Sequence, residues 1–490
     1  FRLIGDVRRS RTAGALLALG RSRSRPCEPV GEHFPGGAIR CRKPPSDVGG
    51  CEMPAKIVLT SVGSLGDLHP FIALAQQLKA HGFEPLIAAS SGYRAKVEAE
   101  GLSFHAVTPS PEELLADTGL TEGDVTRHVM RSSTTFLIKN SVTPYAERSY
   151  ADLLDAMRDA DLVVASSFSI VARVAAEKRR LPVVSLLLSP IAFFSSEQPP
   201  HLMELPWFPA FRRTFGARAA KFVLDLGRAQ SRRQTKAILE LRRRAGVPTP
   251  SGDEVLDGPL RADWIAAAYS PLLGPLPPDA PPNSAIVGFT FYDSESGGAG
   301  GLPSNLAQFL DEGAPPLVFS LGSFGVHAAG SFYESAATAA RTLGMRAVLL
   351  VGSDAVSTHA HLGSDDVAIA GYAPHSMVFP RAAAIVHHGG IGTVAQVMRA
   401  GKPQLICPML GDQADNAERL KRLGIARRLD HMRFTPDTAT HAIASLLKDG
   451  EASRLAAKYA SEVANEDGAR LATEGIARLL DHVRRERSGR

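Results

Sequence analysis

Short runs of Val, Ile and Leu alternate with helical stretches of ten or more residues along most of this chain. Nine such runs predict strands, at residues 56–62, 84–89, 161–166, 182–188, 316–322, 346–351, 367–371, 383–387 and 404–408. Runs that are apolar throughout are typical of strands buried on both faces. Strands of this kind, separated by helices, form parallel sheets that helices cover on both sides. The sequence therefore predicts an α/β fold.

A segment rich in Pro and Gly divides the strand pattern into two halves. GPLPPDAPPN begins at residue 274 and SESGGAGGLPSN begins at residue 294. Such composition resists both helix and strand and indicates a linker. A chain of 490 residues is long enough for two or three domains. We predict two Rossmann-like domains facing a cleft, and the predicted division is 53–275 for the first domain, 276–314 for the linker, 315–465 for the second domain and 466–490 for a last segment.

The basic charge of the chain is concentrated before residue 53. Residues 1–52 hold ten Arg and Lys against five acids, which accounts for the whole formal charge of +5 and leaves the remaining residues balanced. They also hold three of the four cysteines. We expect a disordered N-terminal extension there, with an Arg-rich targeting segment as the alternative. The net charge therefore gives no information about the binding partners of residues 53–490, which we call the body of the chain.

The motif GSLGDLHP, at residues 63–70, follows the first predicted strand and opens a helix. Gly63 and Gly66 allow a tight turn. Open parallel sheets bind ligands at the carboxyl ends of their strands, so Asp67 is expected to face the cleft. Capping of the helix is the structural alternative for Asp67, and His69 has the alternative of a solvated first-turn residue. The spacing GxxGD differs from GxGxxG, which disfavours a nicotinamide enzyme.

A second glycine-rich turn, HHGGIGT at residues 387–393, lies between a predicted strand and a predicted helix. Glycines permit close backbone approach, and the amides at a helix start favour a phosphate. The residues predicted to form this anion site are His387, His388, Gly389, Gly390, Gly392 and Thr393. No Lys follows the glycines, which excludes a P-loop, and no HExxH motif or Cys cluster predicts a metal. Tight packing of strand on helix is the structural alternative.

A third polar loop, PMLGDQADN at residues 408–416, follows the last predicted strand. Asp412 and Gln413 place hydrogen-bond acceptors and a donor side by side, as vicinal sugar hydroxyls require. The segment SLGS, at residues 320–323, ends another strand and is a second candidate anion site. The loops together predict a phosphate site, a sugar site and a carboxylate base.

These motifs, in this order, resemble those of the metal-independent, inverting nucleotide-sugar glycosyltransferases of family 1, which have the GT-B fold. The resemblance covers nearly all of residues 53–490. It implies that the first domain binds the acceptor, that the second binds the nucleotide sugar, and that the last segment is a helix returning to the first domain. Bacterial members have an Asp in the loop that GSLGDLHP resembles, which maps the catalytic base onto Asp67, with His69 as the acceptor-side alternative.

The resemblance also implies the donor contacts. HHGGIGT resembles the diphosphate-binding motif and GDQADN the sugar-binding motif. YAPH, at residues 372–375, resembles the segment that packs on the nucleotide base, and Gln396 stands where plant members have a ribose-binding Glu. The donor-binding residues so implied are Ser323, Tyr372, His387, His388, Gly390, Gly392, Thr393, Gln396, Asp412 and Gln413.

Within the family, the likeness is to the rhamnosyltransferase catalytic subunits that make rhamnolipids, through GSLGDLHPFIALA and DQADNAERLKRLG. The implied reaction moves a glucose-like or rhamnose-like hexose from a UDP-sugar or dTDP-sugar to a hydroxyl of a lipid or natural product, with no metal and no cofactor. Two alternatives stay open: a nucleotide-sugar epimerase of the same fold, and a non-catalytic nucleotide-sugar-binding subunit.

A basic stretch at residues 211–246 carries eleven Arg and Lys against Asp225 and Glu240, interleaved with Phe and Leu. Such a stretch can lie on an anionic membrane. The alternative is a helix pair with apolar faces in the core. Nucleic-acid binding is not expected, because the body is balanced in charge and has no recognised motif. With Cys407 alone in the body and no apolar run of 18 residues, we expect a cytoplasmic protein, at most peripheral to the inner face of the membrane.

Overall fold

The computed structural model describes residues 53–132, 134–293 and 301–488. The extension predicted to be disordered, residues 1–52, lies outside the described residues. Within them the chain forms two parallel sheets, as the continuous apolar runs predict, and the α/β prediction is confirmed.

The first sheet has seven strands in the order β3-β2-β1-β4-β5-β6-β7. Every pairing is parallel. The strands are β1 (Lys56–Thr60), β2 (Glu84–Ala89), β3 (Ser103–Ala106), β4 (Leu162–Ala165), β5 (Val183–Leu187), β6 (Trp264–Ala267) and β7 (Ser284–Ile286).

The second sheet has six strands in the order β10-β9-β8-β11-β12-β13, again all parallel. The strands are β8 (Leu317–Ser320), β9 (Ala347–Leu350), β10 (Val367–Ala370), β11 (Ala384–His387), β12 (Gln404–Ile406) and β13 (Ala426–Arg428).

Helices connect the strands and cover both sheets. Those before β8 are α1 (Leu65–Ala80), α2 (Arg94–Ala99), α3 (Pro111–Thr118), α4 (Glu122–Ser132), α5 (Thr134–Leu137), α6 (Ala146–Ala156), α7 (Ile170–Arg179), α8 (Phe208–Gln234), α9 (Lys236–Ala245) and α10 (Ser304–Asp311). Those after β8 are α11 (Gly322–Gly325), α12 (Phe332–Thr342), α13 (Val356–His359), α14 (His375–Val378), α15 (Ile391–Ala400), α16 (Gln413–Arg422), α17 (Pro436–Leu447), α18 (Gly450–Val463) and α19 (Gly468–Ser488). No helix of the described residues is long and apolar enough to cross a membrane.

The strand order reverses once in each sheet, between β1 and β4 and between β8 and β11. Ligands of open parallel sheets bind at this switch point, outside the carboxyl ends of the strands. The loop after β1 is GSLGDLHP, the loop after β8 holds SLGS, and the loop after β11 is HHGGIGT. The topology therefore places three of the four candidate loops at switch points.

The predicted linker, residues 276–314, is too long. Its Ser284–Ile286 forms β7, which pairs with β6. Its last part contains α10, whose Leu306 and Leu310 are buried in a core cluster of the second domain. The linker is therefore confined to the residues between β7 and α10. Pro-rich and Gly-rich composition failed to mark the boundary because these residues flank β7 and α10, which contain neither.

Helix α19 packs against the first domain. Ala472, Ile476 and Leu480 belong to the same buried cluster as the residues of β1 and α1. Gly475 lies against the Trp264 ring of β6, where a Cβ would come within 2.1 Å of a ring atom. The last segment thus ties the two domains together.

Candidate active site

The loop between β1 and α1 holds Asp67 in a fixed position. Ser64 is the N-cap of α1, and its N–H and Oγ donate to Asp67 Oδ2 at 2.8 and 3.1 Å, which completes a capping box. Gly63 has φ 141°, and a Cβ there would lie 2.3 Å from Asp67 Oδ2, so the turn requires glycine. Within the described residues, Oδ1 of Asp67 has no hydrogen-bond partner. One carboxylate oxygen caps the helix and the other is left for a ligand.

The acidity of Asp67 is changed by its surroundings. Burial raises the pKa of its carboxyl above the ordinary value, and the hydrogen bonds from Ser64 oppose that rise. The structural alternative, helix capping, is therefore correct for Asp67, but it uses only half of the carboxylate. A carboxylate with a raised pKa is a stronger base than an exposed one.

His69 lies two residues further along α1. Its Nε2 is buried with no hydrogen-bond partner among the described residues, and its ring centroid lies 4.7 Å from that of Tyr292. Burial, with nearby Lys96 and His375, lowers the pKa of His69 to about 3, so the imidazole is neutral at physiological pH. Because His375 belongs to the second domain, its effect on His69 reaches across the cleft.

Helix α15 begins without a side-chain cap. Its N-cap is Gly390, and the first hydrogen bond of the helix runs from the Val394 N–H to the Gly390 carbonyl. The amides of the first turn, including those of Gly392 and Thr393, are therefore available to an anion. A Cβ on Gly392 would meet no atom within 4 Å, so the space beside this turn is open. In contrast to α1, this helix start is free to bind a phosphate.

The ring of His388 fills the space between two glycines. A Cβ on Gly322 would lie 2.6 Å from its Cε1, and one on Gly390 would lie 2.4 Å from its Nε2. Its Nδ1 is buried and has no hydrogen-bond partner among the described residues. Burial is the main cause that lowers the pKa of His388 to about 3. The neutral ring thus links the loop after β8 to the loop after β11, beside the open amides of α15.

The loop after β12 presents Asp412 at the start of α16. Burial raises the pKa of Asp412 to about 6, and the negative charge of Asp67 adds to the effect. Gln413 is buried, and its Oε1 accepts from the amides of Met409 at 2.8 Å and Leu410 at 3.1 Å. The side-chain carbonyl of Gln413 therefore shapes the loop, and its Nε2 is the group left for a sugar hydroxyl.

Asn416 joins the sugar loop to the phosphate loop. Its Nδ2 donates to Asp412 Oδ2 at 2.8 Å and to the Gly389 carbonyl at 3.0 Å, and the residue is fully buried. Asn416 was not among the predicted site residues, although it lies four residues after Asp412 on one helix face, a spacing at which side chains meet. Asn416 fixes the orientation of the Asp412 carboxylate.

His387 does not contact the cleft, and the prediction that it binds the donor directly is wrong. Its Nε2 pairs with Gln404 Oε1 at 2.9 Å, and its Nδ1 accepts from the Gly389 amide at 3.1 Å. Both ring nitrogens are therefore engaged inside the protein. Successive side chains of a strand point to opposite faces, so only one of two adjacent histidines can reach the ligand.

The predicted ribose contact, Gln396, holds the linker instead. Its Nε2 donates to Asp293 Oδ1 at 3.2 Å and its Oε1 accepts from Arg399 at 2.8 Å. Arg399 also pairs with Asp293. The Gln396 amide, which was expected to contact a ribose, is instead hydrogen-bonded to Asp293 of the linker and to Arg399 of α15.

The remaining donor candidates lie around the same opening. Ser323 is exposed in the first turn of α11, directly after β8. Tyr372 follows β10 and is 37% exposed. His375 opens α14 with its ring stacked 4.3 Å from Phe379, and it lowers the pKa of His388. Ser323 and Tyr372 thus each follow the carboxyl end of a strand of the second sheet.

Direct contacts join the two domains beside the site. The backbone N–H of His201 donates to Asp415 Oδ1 at 3.0 Å. Arg419 forms a buried ion pair with Asp415 at 2.6 Å and donates to the Leu273 carbonyl at 2.8 Å. Since Asp415 lies three residues after Asp412, the segment after β5 borders the predicted sugar site.

Two protein families match parts of this chain. Residues 57–185 match the glycosyltransferase family 28 N-terminal domain, and residues 340–479 match the erythromycin biosynthesis protein CIII-like C-terminal domain. The two matched ranges cover the Asp67 loop and the donor loops after β11 and β12.

Similar proteins act on different acceptors. The chain is 29% identical to O-mycaminosyltylonolide 6-deoxyallosyltransferase of Streptomyces fradiae, over 84% of this chain and 94% of that protein. It is 26% identical to a sterol 3-beta-glucosyltransferase of Arabidopsis thaliana, over 76% of this chain and 57% of that protein. The solved structure of glycosyltransferase VinC in complex with dTDP superposes with a TM-score of 0.60 at 21% identity, over 87% of this chain and all of that one.

These findings confirm the GT-B fold. They support a likeness to natural-product and sterol glycosyltransferases in general. They do not single out the rhamnolipid-forming enzymes, so that finer resemblance is not supported.

Proposed function

Since the chain is a glycosyltransferase, we propose that it moves a hexose from a nucleoside-diphosphate sugar to a hydroxyl of a lipophilic acceptor, with inversion at the anomeric carbon and without a metal. The observation that carries the proposal is the pair of carboxylates that face one cleft, Asp67 from the first domain and Asp412 from the second. One is positioned as a base and the other as a sugar ligand.

The uncapped start of α15 supports a diphosphate at the centre of the cleft. The amides of Gly392 and Thr393 and the positive end of the helix dipole stabilise negative charge. His388 adds one N–H from a neutral ring. Charge on the departing nucleoside diphosphate grows in the transition state, so these groups stabilise the transition state more than the bound donor. Ser323 and Thr393 add hydroxyl donors from the neighbouring turns.

Asp67 is the proposed general base. Its Oδ1 takes the proton of the acceptor hydroxyl while the acceptor oxygen bonds to the anomeric carbon, and the bond from that carbon to the diphosphate breaks. Attack from the side opposite the leaving group inverts the anomeric configuration. The Ser64 hydrogen bonds keep Oδ2 fixed, so the free oxygen points in one direction. His69, neutral and on the acceptor side, is the second candidate.

Asp412 and Gln413 are the proposed ligands of the sugar hydroxyls. A carboxylate accepts two hydrogen bonds from vicinal hydroxyls, and the Nε2 of Gln413 donates one. Asn416 holds the carboxylate in the orientation that this requires. Glucose-like and rhamnose-like hexoses both offer vicinal hydroxyls, and both fit this proposal.

The relatives support a proposal for the donor base and for the acceptor class. VinC binds dTDP, and Tyr372 and His375 are the proposed contacts of a uracil or thymine base. The named relatives act on O-mycaminosyltylonolide, a macrolide, and on sterols. We therefore propose that a lipid or a polycyclic natural product occupies the first domain.

Incubation with UDP-hexoses and dTDP-hexoses tests this proposal, in the presence of macrolide, sterol and hydroxylated fatty acid acceptors and with mass spectrometry of the products. The expected result is an acceptor that has gained one hexose, made by the wild-type chain and not by Asp67→Asn. Epimerised hexose formed without any acceptor would identify an epimerase. Tight donor binding without turnover on any acceptor would identify a nucleotide-sugar-binding subunit.

A further inference from the structure

Helix α8 leaves three of its seven large apolar side chains exposed, namely Phe215, Phe222 and Leu226. It spans 27 residues, and its only buried residues are Phe208, Ala220 and Leu224. Phe215 is 64% exposed and Phe222 is 65% exposed. By contrast, α9 of the same basic stretch buries its apolar residues in the first domain's core. The alternative of apolar faces packed in the core is thus correct for α9, but it does not account for the exposed apolar side chains of α8.

Three aromatic rings contact one another in series where α8 begins. The ring of Trp207 lies 5.5 Å from that of Phe211, which lies 4.8 Å from that of Phe215. Residues four apart share one face of a helix. Gly216 interrupts the helix with φ 81°, and beyond it Phe222 and Leu226, four residues apart, form a second pair of exposed apolar side chains. An exposed apolar face of this kind marks an interaction site.

The cations of α8 divide into paired and unpaired side chains. Lys221 and Arg228 pair with carboxylates, and so does Arg212. Among the described residues, Arg213 and Arg218 have no carboxylate partner although both are exposed. In sequence, Arg213 lies two residues before Phe215 and Arg218 three residues after it. Elsewhere in the stretch, Arg233 and Lys236 also lack a carboxylate partner among the described residues, and Arg232 donates to the Pro250 and Gly252 carbonyls.

The aromatic side chains at the start of α8 follow a segment that contacts the second domain. The segment that enters α8 contacts the second domain through the His201 N–H and Asp415. Trp207 follows six residues later and begins the aromatic face. The surface therefore starts at the border of the proposed sugar site, on the domain assigned to the acceptor.

We infer that the α8 patch, composed of Trp207, Arg213, Phe215, Arg218, Phe222 and Leu226, docks the protein on an anionic lipid bilayer. Aromatic and aliphatic side chains enter the boundary between headgroups and acyl chains, and unpaired cations beside them attract anionic headgroups. The complementary charge favours a lipid surface over a second copy of this chain, since two patches with unpaired cations would repel each other. The inference rests on the proposed function for its purpose, which is access to a lipophilic acceptor held in the bilayer.

Co-sedimentation with vesicles tests the docking, using the full chain and phosphatidylcholine vesicles with or without phosphatidylglycerol. We expect binding that requires phosphatidylglycerol and weakens as salt is added. The double variants Phe215→Ser/Phe222→Ser and Arg213→Gln/Arg218→Gln should each bind at least about tenfold more weakly. All four side chains are exposed, so both variants should melt at the wild-type temperature.

A matched control lies on the second domain. Met432 is 88% exposed and neighbours the exposed Arg433, so Met432→Ser/Arg433→Gln removes one apolar group and one cation elsewhere. This variant should bind vesicles as the wild type does. The inference is wrong if the wild type ignores phosphatidylglycerol vesicles, binds neutral vesicles equally well, or loses no affinity in the α8 variants. It is also wrong if the α8 variants abolish a dimer and the wild type binds no vesicles, because the patch is then an interface between copies.

Transfer to a detergent-dispersed acceptor separates this inference from the proposed function. The α8 variants should retain that transfer and lose only transfer to an acceptor held in anionic vesicles. If no form of the chain transfers sugar to any dispersed acceptor while the wild type still binds vesicles through α8, the proposed function fails and the docking stands.

Discussion

Burial raises the pKa of Asp412, and the negative charge of Asp67 raises it further, although the two residues belong to different domains. The effect requires both carboxylates to lie within reach of each other across the cleft. It joins a side chain at the switch point of the first sheet to one that follows β12 of the second. The cleft therefore brings together the proposed base and the proposed sugar ligand before any substrate binds.

Asp67→Asn is expected to abolish transfer and to leave donor binding intact. The Asn oxygen can still accept from the Ser64 N–H, but the amide cannot take a proton from the acceptor. Loss of a general base lowers kcat by roughly 10²- to 10⁴-fold. Steady-state kinetics and calorimetry with the nucleoside diphosphate measure the two properties separately.

Asp67→Ala serves as the comparison, because it also removes the capping box. Its free energy of unfolding should fall by about 1 kcal/mol relative to Asp67→Asn. If Asp67→Asn keeps wild-type turnover, the base lies elsewhere, and His69→Ala is the next variant to examine.

Asp412→Asn should stabilise the fold and weaken donor binding. The pKa of Asp412 is raised to about 6, so ionisation of this carboxyl is more costly in the folded than in the unfolded chain. Its contribution to stability is therefore lost as pH rises from about 4 to about 6. The variant removes this cost, at most about 3 kcal/mol at pH 7.

The gain in melting temperature from Asp412→Asn should be present at pH 7 and disappear near pH 4. Wild-type donor affinity should fall as pH drops through about 6, because the protonated acid accepts fewer hydrogen bonds from the sugar. In Asp67→Asn that fall should occur at lower pH, since the repulsion is gone. A donor affinity that does not change with pH between 4 and 7 would count against Asp412 as a sugar ligand.

The two adjacent histidines should respond differently to substitution. His388→Ala removes a ring that lies beside the open amides of α15, so nucleoside diphosphate affinity should drop with little change in stability. His387→Ala leaves Gln404 and the Gly389 amide without their partner, so it should cost roughly 1–3 kcal/mol of stability. Calorimetry and thermal melting distinguish them, and equal diphosphate affinity in wild type and His388→Ala would contradict the proposed anion site.

Asn416→Ala should raise the KM for the donor more than it lowers kcat. The variant removes the Nδ2 that holds the Asp412 carboxylate and the Gly389 carbonyl, so the sugar ligand loses its fixed orientation. Asn465→Ala is the control, since Asn465 Nδ2 donates only to the Ser461 carbonyl at an exposed helix end. A donor KM equal to that of the control would show that Asn416 does not position Asp412.

The sequence predicted nine of the thirteen strands of the described residues. All nine predicted strands exist, because their apolar runs reflect burial on both faces. The four missed strands are β3, β6, β7 and β13, of which three are edge strands. Edge strands are short and partly exposed, so their sequences lack a continuous apolar run. β7 was also missed because the prolines just before it predicted a linker.

The candidate loops could be predicted because glycines and polar residues follow buried strands in sequence. The sequence could not show which side chain of each loop faces the ligand. His387 and His388 are identical in type, and only the strand register separates them. Gln396 depends on Asp293, which is distant in sequence and was assigned to the linker. The role of Asn416 could not be predicted either, because its contact with Asp412 forms only when the two residues lie on one face of a folded helix.

The anomeric configuration of the product tests the central claim most directly. The wild-type chain is incubated with a donor of known configuration and an accepted alcohol, and the linkage is determined by nuclear magnetic resonance. A single displacement with Asp67 as base predicts a product whose anomeric configuration is opposite to that of the donor. A product that retains the donor configuration would contradict the account.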